Sequence, residues 1–432
     1  MTTMIISGTD VDMRGGAYGK IAWRILPFLL LCYLAAYIDR VNIGFAKLQM
    51  ASDLGFSEVA YGLGAGIFFI GYSIFEVPSN LMLHKVGARR WIARILISWS
   101  VVSACFGFVQ TEAHFYMLRF LLGVAEAGFA PGALLYLTYW FPAARRSRAN
   151  SAMFLAIPLA GIIGAPLSGL IMENMSGVAR WEGWRWMFVL EALPALIAGL
   201  LTWRFLPDRP ADVDWLSIAE KQVVLADLAE DAGTTTQHMS VKQFISDKRL
   251  WLLTAVYFCV VMGQYAMTFW LPTIVKNAGA TTPLLNGMLT SLPFLTAMAA
   301  MLFFSFSADR TRERRWHLII PMVVGALALT LASFFPHNLA ISIVLLSIAT
   351  AGMLTSTVMF WSLPPAFLGG VWAAAGIGAI NSIGNVAGFV SPYVIGSLVS
   401  VAGDLRLGLY AIAGSVLLGA TLVLLVPKSV NR

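Results

Sequence analysis

Charge is scarce in this chain. Of 432 residues only 12% are Asp, Glu, Lys or Arg, where a soluble domain carries about a quarter. Cysteine is scarcer still. Cys32, Cys105 and Cys259 each lie inside an apolar run, which excludes a disulfide framework and reads as three small buried hydrophobes. The five histidines, at 84, 114, 238, 317 and 337, are scattered over different loops and form no metal set. There is no GxSxG elbow, no HExxH and no phosphate-binding loop, so a membrane enzyme and direct drive by ATP are both disfavoured. No metal and no cofactor is expected. Residues 1–19 are polar, and the first apolar run passes into charges without a small-residue cleavage site, so no cleaved signal peptide is expected.

Apolar residues are abundant, at 59%, with a mean hydropathy of +0.77. Segments long enough to span a bilayer recur at 21–46, 60–83, 91–110, 114–141, 150–172, 184–206, 250–275, 284–307, 317–335, 340–363, 371–400 and 406–427. The expected fold is an all-α polytopic membrane protein of twelve transmembrane helices. With both termini on one side, that side carries 22 of the 29 Lys and Arg residues, the other side five, and Arg40 and Arg119 fall inside spans. The positive-inside rule then puts both termini in the cytoplasm. The net charge of +7 is accounted for by these loops and does not imply nucleic acid. One long polar stretch, 207–249, separates an N-terminal half (1–206) from a C-terminal half (250–432). Leu216, Ala219, Val223 and Val224 in it have roughly helical spacing, as for a surface helix in a cytoplasmic linker.

The halves echo each other. "HKVGARR" (84–90) follows the second span and "ADRTRERR" (308–315) the eighth. "GIIGAPLSG" (161–169) lies in the fifth and "GNVAGFVSPYVIG" (384–396) in the eleventh. The offset is 225 residues from His84 to Asp309 and 226 from Pro166 to Pro392. Matching offsets point to a duplicated six-span unit, an architecture that places a substrate site between the halves near the midplane.

These features resemble the major facilitator superfamily. Its signature loop after span two matches at Lys85, Gly87, Arg89 and Arg90, but Asn80 stands near the usual first glycine and His84 replaces the usual aspartate. The second copy keeps the acid in Asp309-Arg310. The resemblance implies that both loops latch the cytoplasmic ends of spans, with the first latch weakened or made pH-dependent by His84. "YIDRVN" (37–42), "EVPSN" (76–80) and "LRFLLGVAEAGFAPG" (118–132) resemble the anion:cation symporter branch. Within it, "VPSNLMLHKVGARRWIARI" and "LPPAFLGG…AINSIGNVAGFVSPYVIG" are most similar to tartrate or aldarate permeases. The resemblance implies proton-sensitive acids at Asp39 and Glu126, a substrate arginine at Arg40 and tyrosines near substrate at Tyr37 and Tyr72.

The residues point the same way. An uncompensated charge at mid-membrane costs at least ~3 kcal/mol. Arg119, Gly123 and Glu126 stand at i, i+4 and i+7 on one helix face, and so do Tyr33, Tyr37 and Arg40. Asp39 is turned about 100° from Arg40, so the expectation is that Asp39 faces Arg119 while Arg40 faces the cavity. Arginine keeps its proton and a buried carboxylate can gain one. Protonating Asp39 or Glu126 would then leave the set positive and able to hold an anion. Glu76 is expected to be hydrated, or to cap a network near the cytoplasmic end of span two. Glu191 is a weaker candidate.

Shifting Asp39 and Glu126 by 226 residues lands on Tyr265 and Gly352, so the second half lacks matching charges. It offers Gln264, Ser356, Trp361, Ser362, Asn381 and Asn385 to read substrate shape and hydroxyls, although Trp361 taken alone reads as packing. The expected function is proton-coupled uptake of a small organic anion, such as tartrate or another sugar acid, by a monomer in the bacterial inner membrane. An exporter or exchanger of organic anions or drugs is the alternative. "GIIGAP" lacks the longer glycine series of drug exporters.

Overall fold

The computed structural model describes residues 8–233, 246–364 and 372–426. The linker stretch 234–245, residues 365–370 of the "LPPAFLGG" motif, Lys428 and Arg432 lie outside the described residues. Sixteen α-helices follow in chain order: α1 Gly8–Leu54, α2 Glu58–Val86, α3 Ala88–Cys105, α4 Glu112–Glu126, α5 Phe129–Thr138, α6 Ala143–Phe154, α7 Ala156–Asn174, α8 Gly183–Phe205, α9 Ile218–Gly233, α10 Lys248–Ala278, α11 Pro283–Thr311, α12 Arg315–Ala332, α13 Leu339–Phe360, α14 Trp372–Gly384, α15 Ala387–Ala402 and α16 Arg406–Val423. Among the described residues they make twelve helical segments long and apolar enough to span, six before α9 and six after it.

Side chains close four of the helix starts on the face opposite the termini. The hydroxyls of Ser57, Thr111 and Thr282 and the amide oxygen of Asn338 accept the N–H groups of Ala60, His114, Leu285 and Ile341 at 3.0–3.2 Å. Each satisfies one donor that has no partner within its helix. Prolines inside α1, α2, α7, α8, α10 and α11 are tolerated, as packed neighbours re-satisfy freed carbonyls in membrane helices.

The fourth span is broken between α4 and α5. Gly128 there has φ +84°, and a Cβ on it would lie 2.3 Å from Ser79 Oγ, so only glycine fits both the backbone and the neighbour. Earlier in the same span, a Cβ on Gly123 would fall 2.0 Å from the Phe68 carbonyl oxygen. That close crossing sets Arg119 and Glu126 directly against α2.

The linker helix α9 packs on the first half. Lys20 Nζ donates to Glu220 at 2.7 Å, Tyr18 Oη to Asp227 at 3.1 Å, and Arg146 Nη2 to Asp231 at 2.9 Å. Leu216 and Val224 are buried and Val223 is half-buried, but Ala219 is exposed. The apolar face is therefore narrower than the spacing suggested, and ion pairs do part of the anchoring.

The latch expected from the signature loop is built differently. His84 meets Tyr139 Oη at 3.2 Å. An acid comes instead from the start of the linker: Asp208 Oδ1 accepts Arg89 N at 2.9 Å and neutralises the positive N-terminal end of α3. Gly87 supplies the tight turn with φ +94°, while Lys85 is exposed and Arg90 is also exposed on the first turn of α3. In the second copy Asp309 and Arg310 are exposed at the end of α11. The tie there is made by Arg314 Nη1, which donates to the Ser362 carbonyl at 3.1 Å.

The halves meet most firmly at the face opposite the termini. Tyr61 Oη donates to the Phe269 carbonyl at 3.0 Å, Lys276 Nζ to the Leu48 carbonyl at 3.1 Å, and Leu284 N to Glu173 at 2.9 Å. Lys47 Nζ lies 3.6 Å from the centre of the Trp270 ring.

Candidate functional site

Asp39 and Arg40 stand inside the bundle on α1, 2% and 8% exposed. The 100° step between them sends them to different neighbours. Arg40 turns to α4 and forms an ion pair with Glu126, itself 1% exposed. Its guanidinium also lies over the rings of Tyr37 (4.9 Å), Phe68 (5.4 Å) and Tyr72 (5.4 Å). Tyr265 of the second half completes the surround and packs edge-on to Phe69 at 4.5 Å. The Nε–H of Arg40 is buried and has no partner. Tyr33 packs edge-on to Tyr37 at 5.1 Å, one turn along the same face.

The expected pairing of Asp39 with Arg119 is not what the structure shows. Asp39 turns to α3, where Ser103 Oγ donates to it at 2.9 Å and Trp99 Nε1 donates to its other oxygen. Asn42 Nδ2, one turn along α1, adds a third bond at 3.3 Å. Arg119 turns to α2 and donates to the carbonyls of Gly64 (3.1 Å) and Ala65 (2.8 Å). The reason is the close α2–α4 crossing at Gly123, which brings backbone carbonyls nearer to Arg119 than any carboxylate. Phe68 lies under both guanidinium groups, 5.1 Å from that of Arg119. The four charges thus form one cluster, with different partners inside it.

Of the two expectations for Glu76, hydration fails and a capped network is found. It is 4% exposed and not a hydrated end group. It accepts Asn381 Nδ2 at 3.0 Å and Ser382 Oγ at 3.1 Å, both from the second half. Asn385 is half-buried one turn further on, in the break between α14 and α15. The other candidates of the second half are held within it. Gln264 Oε1 accepts Thr357 Oγ1 at 3.0 Å. The hydroxyls of Ser356 and Ser362 donate to carbonyls of their own helix. Trp361 packs against Tyr257 at 4.8 Å, in keeping with its packing role.

Sequence reasoning missed Trp99, Ser103 and Asn42. Asn42 carried a signal, because i+3 from Asp39 lies on the same face; Trp99 and Ser103 carried none, because only packing brings α3 to Asp39. No cluster of three or more His, Cys, Asp or Glu side chains able to hold a metal exists among the described residues.

The site can do two things chemically. A guanidinium with one free N–H, ringed by tyrosines, can accept a carboxylate. Glu126 ends α4 just before its break, where it meets the negative end of the helix dipole, so its charge depends on Arg40. A second carboxylate brought to this site would compete with Glu126 for one cation.

Residues 29–392 match the model of the Major Facilitator Superfamily. A putative metabolite transport protein, NicT, of Pseudomonas putida is 46% identical over 98% of each chain. A putative tartrate transporter of Agrobacterium vitis is 45% identical over 97% of this chain and 93% of its own. A quinolone resistance transporter of Acinetobacter baumannii is 40% identical over 98% and 97%. Among solved structures, a bacterial homologue of the human lysosomal transporter Spinster, inward-facing and occupied, superposes with a TM-score of 0.75 at 15% identity, over 94% of this chain and 96% of that one. Twelve helices of this arrangement, a match over most of the chain and relatives named as transporters lead to one conclusion: the chain belongs to the Major Facilitator Superfamily and is a transporter, not an enzyme.

Proposed function

We propose that the protein imports a small organic anion, tartrate or another sugar acid or carboxylate, together with protons, as a monomer in the bacterial inner membrane. The terminal face is then cytoplasmic, in line with the Lys/Arg distribution, and the contacts at the other face support the reading of an outward-closed state. The single observation that carries the reading is Arg40, buried between the halves with Glu126 on one side and an unpartnered Nε–H on the other. Protonating Glu126 releases Arg40 to a substrate carboxylate. Releasing that proton inside draws Arg40 back and expels the anion. Each proton supplies about 2.3 kcal/mol per 100 mV and about 1.4 kcal/mol per pH unit.

The test compares uphill accumulation with counterflow in proteoliposomes, using tartrate as the first probe and an imposed pH gradient. Glu126→Gln is expected to lose accumulation and keep exchange. If Glu126→Gln and Asp39→Asn both still concentrate substrate in response to the gradient, the coupling assignment is wrong. A second reading, export of drugs or anions, is favoured by the likeness to the quinolone resistance transporter. Quinolone uptake into inverted vesicles driven by inside acidification would replace the first reading with the second.

A further inference from the structure

Glu191 of α8 takes no part in the mechanism above, yet it is 1% exposed. One of its oxygens accepts Ser168 Oγ of α7 at 2.7 Å. The other, Oε2, is buried and has no partner. Its neighbour is the side chain of Asn42, the same amide that donates to Asp39. The amide oxygen of Asn42 is also buried and unpartnered. The Asn42 amide nitrogen that donates to Asp39 is also the donor within reach of Glu191, so one N–H group serves two buried carboxyls, and a carboxylate offers no donor of its own.

The charges around the cluster sharpen the conflict. The charged group facing Glu191 is Asp39 on α1. Glu126 and Arg119 on α4 face Asp39. From α3 come Trp99 and Ser103, and from α7 Ser168, all neutral donors. Asp39 thus has three donors, with one cation and one acid of α4 facing it. Glu191 has the Ser168 hydroxyl, a share of the Asn42 amide and an acid for a neighbour. Two adjacent buried carboxyls with no cation at the second do not both ionise. A proton on Glu191 turns its orphan oxygen into a donor within a cluster that has an unfilled acceptor. Turning the Asn42 amide over would put the acceptor end on Asp39 and move the proton there, without removing the need for it.

We propose that Asp39, Asn42 and Glu191 form a proton-binding site that holds one proton between two carboxyls, resident on Glu191 in this conformation. It rests on the reading of Asp39 as a coupling acid, and adds the second carboxyl of that acid's site. It lies on the side of α1 away from the Arg40–Glu126 pair, so this proton is held apart from that pair.

The test is infrared spectroscopy of the reconstituted protein at neutral pH, reading the carbonyl band of protonated carboxyl groups. Glu191→Gln is expected to lower the band by one group, and Asp39→Asn to leave that group in place. An unchanged band in Glu191→Gln overturns the proposal. Should that variant fail to fold, 13C-glutamate labelling of Glu76→Gln/Glu126→Gln serves instead. A protonated-carboxyl band that shifts with the label is expected, and its absence overturns the proposal. Band occupancy does not depend on transport. A lost band alongside gradient-driven accumulation in both Asp39→Asn and Glu126→Gln would keep the Glu191 proton and remove the coupling reading.

Discussion

Arg40 shows how much the chemistry of one side chain carries. Lysine would keep the charge but not the planar fork that can hold Glu126 on one edge and a ligand on another. It would also lose the stacking on Tyr37, Phe68 and Tyr72. Arg40→Lys is expected to weaken tartrate binding at least about tenfold, or about 1.4 kcal/mol, measured by calorimetry on purified protein. Unchanged affinity would remove Arg40 from the substrate site. Gly128 tests a different property. Alanine there meets a positive φ and the Ser79 hydroxyl, which also accepts Trp91 Nε1 at 2.9 Å. A cost of about 1–3 kcal/mol is expected, seen as a thermal midpoint several degrees lower. A midpoint at or above that of the parent would mean that the break after Glu126 is not held by this glycine.

Ion pairs do part of the work of holding the linker helix α9. The Lys20 ammonium holds the Glu220 carboxyl below the usual carboxylate range. A carboxyl with a depressed value in the folded protein stabilises it above the unfolded value of about 4.3, and that contribution disappears as pH falls through the folded value. Glu220→Gln is therefore expected to speed amide exchange in α9 at neutral pH, with the difference from the parent vanishing in acid well below pH 4. An equal difference at both extremes would show that the charge on Glu220 is not what anchors the helix.

The two halves are joined at different depths, and alternating access requires those joints to open in turn. The joint nearer the terminal face is Glu76 with Asn381 and Ser382. A hydrogen bond to a charged group is worth about 1.5–3 kcal/mol, so removing one shifts a two-state equilibrium about tenfold or more. Glu76→Ala is expected to favour the form open at the terminal face. Spin labels on the loops after α2 and α11 should then report a larger share of long distances. No change would leave Glu76 a local packing group. Orientation is checked separately: a reporter active only in the cytoplasm, fused after Arg432, is expected to be active.

Hydropathy by itself determined the twelve spans, because a bilayer demands about 20 apolar residues per crossing, and every expected segment overlaps a helix long enough to span. Helical spacing was enough to group Tyr33, Tyr37 and Arg40 on one face and Arg119 and Glu126 on another. Membership of the cluster was legible for the same reason that the cluster is costly: charges stand out in an apolar run. Partnership was not. A 100° step says that Asp39 and Arg40 diverge, but not toward which helix, and that depended on the approach of α4 to α2 at Gly123. The same holds across the halves, where Asn381 reaches Glu76 over 305 residues of sequence. Spacing along a chain constrains which side chains share a face; which faces meet is decided only when the helices pack.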